Sequence, residues 1–88
     1  MIEHLLMCPP TYFDVVYSIN PWMRLDNPVD KRLAHEQWEN LRRVIESLGV
    51  RVSLIEPAPG LPDMTFSGDG GMVVGKRFLR SNFRYRER

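Results

Sequence analysis

The chain has a single cysteine, Cys8. No disulfide can close within it, which excludes the small secreted scaffolds that substitute disulfides for a core. The lone thiol favours a reducing, cytoplasmic setting. Long apolar runs are also missing: no window approaches the ~18 uninterrupted apolar residues of a membrane span. Met1-Ile2-Glu3-His4-Leu5-Leu6-Met7 lacks a basic flank and carries too short an apolar run for a secretory leader. Internal repeats and low-complexity tracts are absent, which excludes collagen-like and coiled-coil architectures. Histidine is scarce, and His4 and His35 have no metal-ligand spacing with each other or with Cys8. No metal or other cofactor is expected.

What remains is ordinary globular composition. The 88 residues are 43% hydrophobic and 26% charged, enough for one small domain. A chain of this size buries only roughly 60–65% of its unfolded surface. Charge is divided unevenly along it. Residues 1–75 hold six basic and ten acidic side chains, a balance of −4. Residues 76–88 hold Lys76, Arg77, Arg80, Arg84, Arg86 and Arg88 against Glu87, a balance of +5. The sequence then stops at Arg88 without a capping glycine, proline or polar tail, which reads as the interruption of a longer unit.

Periodicity sets out the elements. Residues Ile2–Cys8, bounded by Pro9-Pro10, predict a buried strand. Thr11 to Ile19 reads as an extended segment or loop, and Asn20 is held extended by the proline that follows it. Asn27-Pro28 has the form of an N-cap followed by proline at the first helical position. Ala34, Trp38, Leu41, Ile45 and Leu48 recur at helical spacing, and Gly49 stands where a C-terminal cap belongs. The expectation is one amphipathic helix over 28–48, with Glu39 and Arg43 as an exposed pair. Val50–Ile55 alternates as a strand, so strand, helix and strand form a βαβ-type unit. Residues 57–62 form a stiff proline-rich loop. Met72-Val73-Val74 and Arg77–Arg80, bracketed by glycines, predict a hairpin.

Few residues could carry chemistry. Asp69, in Phe66-Ser67-Gly68-Asp69-Gly70-Gly71, is either a carboxylate placed to meet a cation or a turn acid ahead of the hairpin. The glycines lack the spacing of a phosphate loop or a dinucleotide fingerprint. Cys8 has no nearby base and reads as a buried small hydrophobe. Phe83 and Tyr85, interleaved with arginines, have the pattern of a single-strand nucleic-acid patch, or of a solvated face, or of the place where an anionic substrate group meets a larger protein.

Three blocks make the sequence specific: Leu6-Met7-Cys8-Pro9-Pro10, then Tyr12-Phe13-Asp14-Val15, then Ile19-Asn20-Pro21-Trp22-Met23. They resemble the N-terminal region of amidinotransferase-superfamily proteins, above all the bacterial arginine dihydrolases. Dimethylarginine dimethylaminohydrolases and arginine deiminases are more distant relatives. Leu61-Pro62-Asp63-Met64-Thr65-Phe66-Ser67-Gly68-Asp69 is similar to that superfamily's Pro-Asp/Asn-x-x-Phe-x-x-Asp/Asn signature. The resemblance implies an α/β fold, the first ββαβ-type module of a five-bladed α/β propeller, here over residues 1–88 and incomplete on its own. It implies a catalytic cysteine near the far end of the propeller and a histidine and acid in middle modules, none of them in this chain. It places Asp69 against a substrate guanidinium, Asn20 near the substrate, Arg88 on the amino-acid carboxylate, and Phe66 as a wall of the site. Arginine dihydrolases carry asparagine where Asp69 stands, and dimethylarginine hydrolases carry glutamate where Gly68 stands.

The implied partners are arginine or another guanidino compound, together with the remaining modules or a partner chain that supplies them. A non-catalytic assembly module, or one half of a split enzyme, is the alternative. Nucleic acid and membrane are not expected partners.

Overall fold

The computed structural model describes residues 2–88. Strand β1 (His4–Met7) and strand β2 (Arg51–Leu54) pair in parallel, with His4 opposite Arg51 and Met7 opposite Leu54. The ladder runs on at both ends, where Arg51 N–H donates to the Glu3 carbonyl at 2.9 Å and Ile55 N–H to that of Met7 at 2.8 Å. Parallel strands need a crossover. Helix α1 (Lys31–Ser47) supplies it, as the strand–helix–strand pattern predicts.

The helix begins three residues later than the Asn27-Pro28 signature suggests. Asp30 takes the cap because its carboxylate accepts the Leu33 N–H at 3.0 Å while its carbonyl accepts that of Ala34 at 2.9 Å. Asn27 is spent in the preceding turn, its N–H on the Arg24 carbonyl. At the other end Gly49 adopts φ +83°, a left-handed conformation that only glycine takes without strain. The exposed ion pairs along the helix are Arg32–Glu36 at 3.2 Å and Arg42–Glu46 at 2.9 Å, not Glu39 with Arg43.

The apolar stripe of α1 faces β1 without closing on it. Trp38, Leu41 and Ile45 look across a groove of about 500 Å³ at Leu5, Leu6 and Met7. Leu41 keeps 53% of its surface exposed. Among the described residues the buried hydrophobic core is Met7 and Cys8 alone. Burial pushes the Cys8 thiol above its usual range, which keeps it protonated and chemically quiet.

Two short 3₁₀ turns, Pro62–Thr65 and Ser67–Asp69, lead into the hairpin of β3 (Gly71–Val74) and β4 (Arg77–Arg80), which pair antiparallel. Little joins this second region to the first. Ser67 Oγ donates to the Leu6 carbonyl at 2.9 Å, and Phe13 meets Phe66 edge-to-face with ring centroids 5.6 Å apart. The hairpin is open on both faces: Met72, Val73, Val74, Phe78 and Leu79 are all exposed. The radius of gyration is 14.4 Å, against about 12 Å for a compact domain of this length. No helix of the described residues is long and apolar enough to cross a membrane.

Candidate guanidinium site

The site begins with the 3₁₀ turns. Phe66 N–H donates to the Asp63 carbonyl at 3.0 Å, and Asp69 N–H to that of Phe66 at 3.0 Å. These tight turns bring Asp63, Phe66 and Asp69 around one cavity of about 260 Å³, which Leu61, Met64, Phe83 and Arg88 also line. Ser81 fixes the far side: its N–H donates to the Gly70 carbonyl at 3.0 Å and its hydroxyl to that of Asp69 at 2.5 Å. The hairpin thereby anchors the backbone that carries Asp69, and the chain beyond it returns to the cavity.

Two carboxylates of different character meet there. Asp69 is open to solvent, its side chain 57% exposed, whereas that of Asp63 is 16% exposed. Tyr17 hydroxyl donates to Asp63 Oδ2, so the loop after β1 also reaches the site. Burial pushes the Asp63 carboxyl above the usual carboxylate range and the nearby Asp69 charge adds to that, while the Arg88 guanidinium opposes it.

A guanidinium already stands against these acids. Arg88 Nη2 donates to Asp69 Oδ2 at 2.9 Å, and Arg88 Nε lies 3.4 Å from Asp63 Oδ2. Its central carbon is 5.9 Å from the Phe66 ring centroid and 5.2 Å from that of Phe83, within the range of cation–π attraction. The arrangement offers what a planar cation requires: carboxylate acceptors within reach of its N–H groups and aromatic surfaces beside it.

Of the residues singled out from sequence, Asp69, Phe66 and Arg88 come together at this cavity. Phe66 is 46% exposed and lies between the cavity and the groove under α1. Asn20 is not among the residues lining either space. Its carboxamide oxygen accepts the N–H groups of Trp22 at 2.9 Å and Met23 at 3.0 Å, which commits that oxygen to the Asn-Pro turn and leaves the amide NH2 to donate. Asp63, Tyr17 and Phe83 escaped the sequence reading as site residues. Asp63 stood in the Pro-Asp of the signature block. Phe83 showed only as an aromatic among arginines, and nothing local marked Tyr17, which lies 46 residues before its partner.

No family model matches the chain. It is 45% identical over 82 residues to N(G),N(G)-dimethylarginine dimethylaminohydrolase of Mycobacterium tuberculosis, a match covering 93% of this chain and 27% of the relative. It is 41% identical over 85 residues to the bifunctional arginine dihydrolase/ornithine cyclodeaminase ArgZ of Synechocystis, covering 96% of this chain and 12% of the relative. Among solved structures, the N-terminal domain of ArgZ bound to product superposes with a TM-score of 0.88 at 38% identity, over 100% of this chain and 32% of that domain. The chain thus spans less than a third of each of these proteins. By sequence and by fold it is related to the guanidino-group-modifying enzymes of the amidinotransferase superfamily, arginine dihydrolase and dimethylarginine dimethylaminohydrolase among them.

Proposed function

We propose that these 88 residues are a substrate-binding module of a guanidino-group-modifying enzyme acting on arginine or a close analogue. In this reading they form the first ββαβ-type module of a five-bladed α/β propeller. Other modules, in the same chain or in a partner, hold the catalytic cysteine and histidine. The observation that carries the reading is the cavity between Asp63, Phe66 and Asp69, which accommodates a guanidinium in both charge and shape. The open hairpin supports the modular half of the proposal, since Val73, Phe78 and Leu79 form an apolar surface suited to burial against a neighbouring module.

Asp69 orients the substrate guanidinium and Phe66 walls it. Arg88 pairs with the amino-acid carboxylate, and the Asn20 amide NH2 donates to an acceptor atom near it. In the complete enzyme a cysteine thiolate adds to the guanidinium carbon, a histidine carries protons, and an amine leaves; water or an acceptor amine then releases the product. Cys8 has no part in this, being buried and protonated.

Calorimetric titration of the chain with L-arginine tests the reading. Binding in the millimolar range is expected, with no ammonia or citrulline formed. Asp69→Ala should abolish it, and Asp69→Asn, which keeps an acceptor oxygen, should retain part. Equal binding by wild type and Asp69→Ala, or turnover that disappears with Cys8→Ala, would contradict it.

A further inference from the structure

The guanidinium in the cavity belongs to the protein itself. Arg88 reaches back across the hairpin, 19 residues from Asp69, and its side chain is 23% exposed. It satisfies Asp69 by a hydrogen bond, neutralises Asp63 at ion-pair distance, and lies over Phe66 and Phe83. Both aspartates, through Oδ2 of each, and both rings that would recognise an incoming guanidinium are therefore already met by an internal one. We infer that Arg88 is an intramolecular stand-in for the ligand, so that a guanidino compound enters this cavity by displacing the Arg88 side chain from Asp69 and Asp63.

This rests on the reading of the cavity as a guanidinium site and adds to it a competitor and a selectivity. Displacement takes Arg88 away from both aspartates, and Glu87 is the other acid lining the cavity. A ligand bearing only a guanidinium brings no counter-ion to replace the two aspartates that Arg88 gives up. A ligand that also carries an anionic group gives Arg88 a new counter-ion. The internal competitor therefore acts as a filter, favouring zwitterionic guanidino compounds over simple guanidinium cations. The Tyr17 hydroxyl donates to the same Asp63 oxygen that Arg88 approaches, a contact independent of Arg88 that holds Asp63 at the cavity.

The test compares methylguanidinium and L-arginine on the wild-type chain and on Arg88→Gln. Removing the competitor should tighten methylguanidinium roughly fivefold, the size of one partly exposed ion pair, while weakening L-arginine. Arg88→Lys, which keeps the charge and loses the planar fork, should fall between. In wild-type protein labelled with 15N, the Arg88 Nε–H resonance should move towards its solvent-exposed position as methylguanidinium is added, a readout that requires no variant to fold. If wild type binds L-arginine, but Arg88→Gln gains nothing for methylguanidinium and the Nε–H resonance stays fixed, the stand-in is refuted and the guanidinium site survives. If neither protein binds either compound, the site and the stand-in fail together.

Discussion

The two ends of the molecule obey different rules. The β1–α1–β2 unit, residues 4–54, carries the parallel ladder, the only long helix and the buried hydrophobic core of the described residues, Met7 and Cys8. The region from Pro62 to Arg88 contains no buried residue. It is ordered by hydrogen bonds and charge: two 3₁₀ turns, a hairpin tied by Ser81 to Gly70 and Asp69, and an arginine resting on two aspartates. The parallel ladder, the helix crossover and a small buried core build the first region, and local polar contacts hold the second. The candidate site lies in the polar region except for Tyr17, Ile55, Leu61 and the contact of Phe66 with Phe13. A binding surface assembled this way is readily re-formed around a ligand, because few apolar contacts oppose the movement.

The contrast breaks most severely at Met7. Its side chain is 8% exposed and lies where β1 faces the helix. Met7→Ala should cost about 2–3 kcal/mol, the lower end for truncating a core methionine beside a groove that leaves room to relax. In a chain this small that is a large share of the total. Thermal unfolding followed by circular dichroism should lose its cooperative transition. A melt unchanged by the substitution would show that the core lies elsewhere.

The opposite end is more sharply tested at Gly71. A Cβ there would lie 2.5 Å from Phe78 Cζ and 2.6 Å from the Leu79 carbonyl oxygen, so the hairpin must spread to admit it. Gly71→Ala should destabilise the hairpin by roughly 1–3 kcal/mol, the range for overpacking. Amide exchange should quicken at Ser81 and in β3 and β4, while Arg51 and Ile55 in the parallel ladder keep their protection. Equal loss of protection in both places would show that the two regions open as one unit.

How far each region could be read in advance follows from the same division. The βαβ unit was legible because its signals are periodic: Ala34, Trp38, Leu41 and Ile45 announce the helix, and alternation from Val50 announces the strand. The hairpin was legible from Gly70-Gly71 and Gly75, the last at φ +61° in its turn. The start of the helix was misread because two acceptors compete there. Asn27-Pro28 carries the stronger local signature, but Asp30 makes the bond to Leu33. Asp69, Phe66 and Arg88 were reached through the resemblance to guanidino-modifying enzymes. Their meeting at one cavity follows from the paired 3₁₀ turns and the return of the chain after the hairpin, which no periodicity encodes. The Tyr17–Asp63 bond joins residues 46 apart, and neither residue type alone foretells it.

In the proposed function the polar region of this chain is a guanidinium site and the βαβ unit is its support. The most direct measurement is an amide chemical-shift map of the 15N-labelled chain titrated with L-arginine. Saturable shifts should gather at residues 62–70 and 81–88 and leave residues 31–47 of the helix unmoved. Shifts spread evenly over the chain, or confined to the groove beneath Trp38 and Leu41, would contradict it.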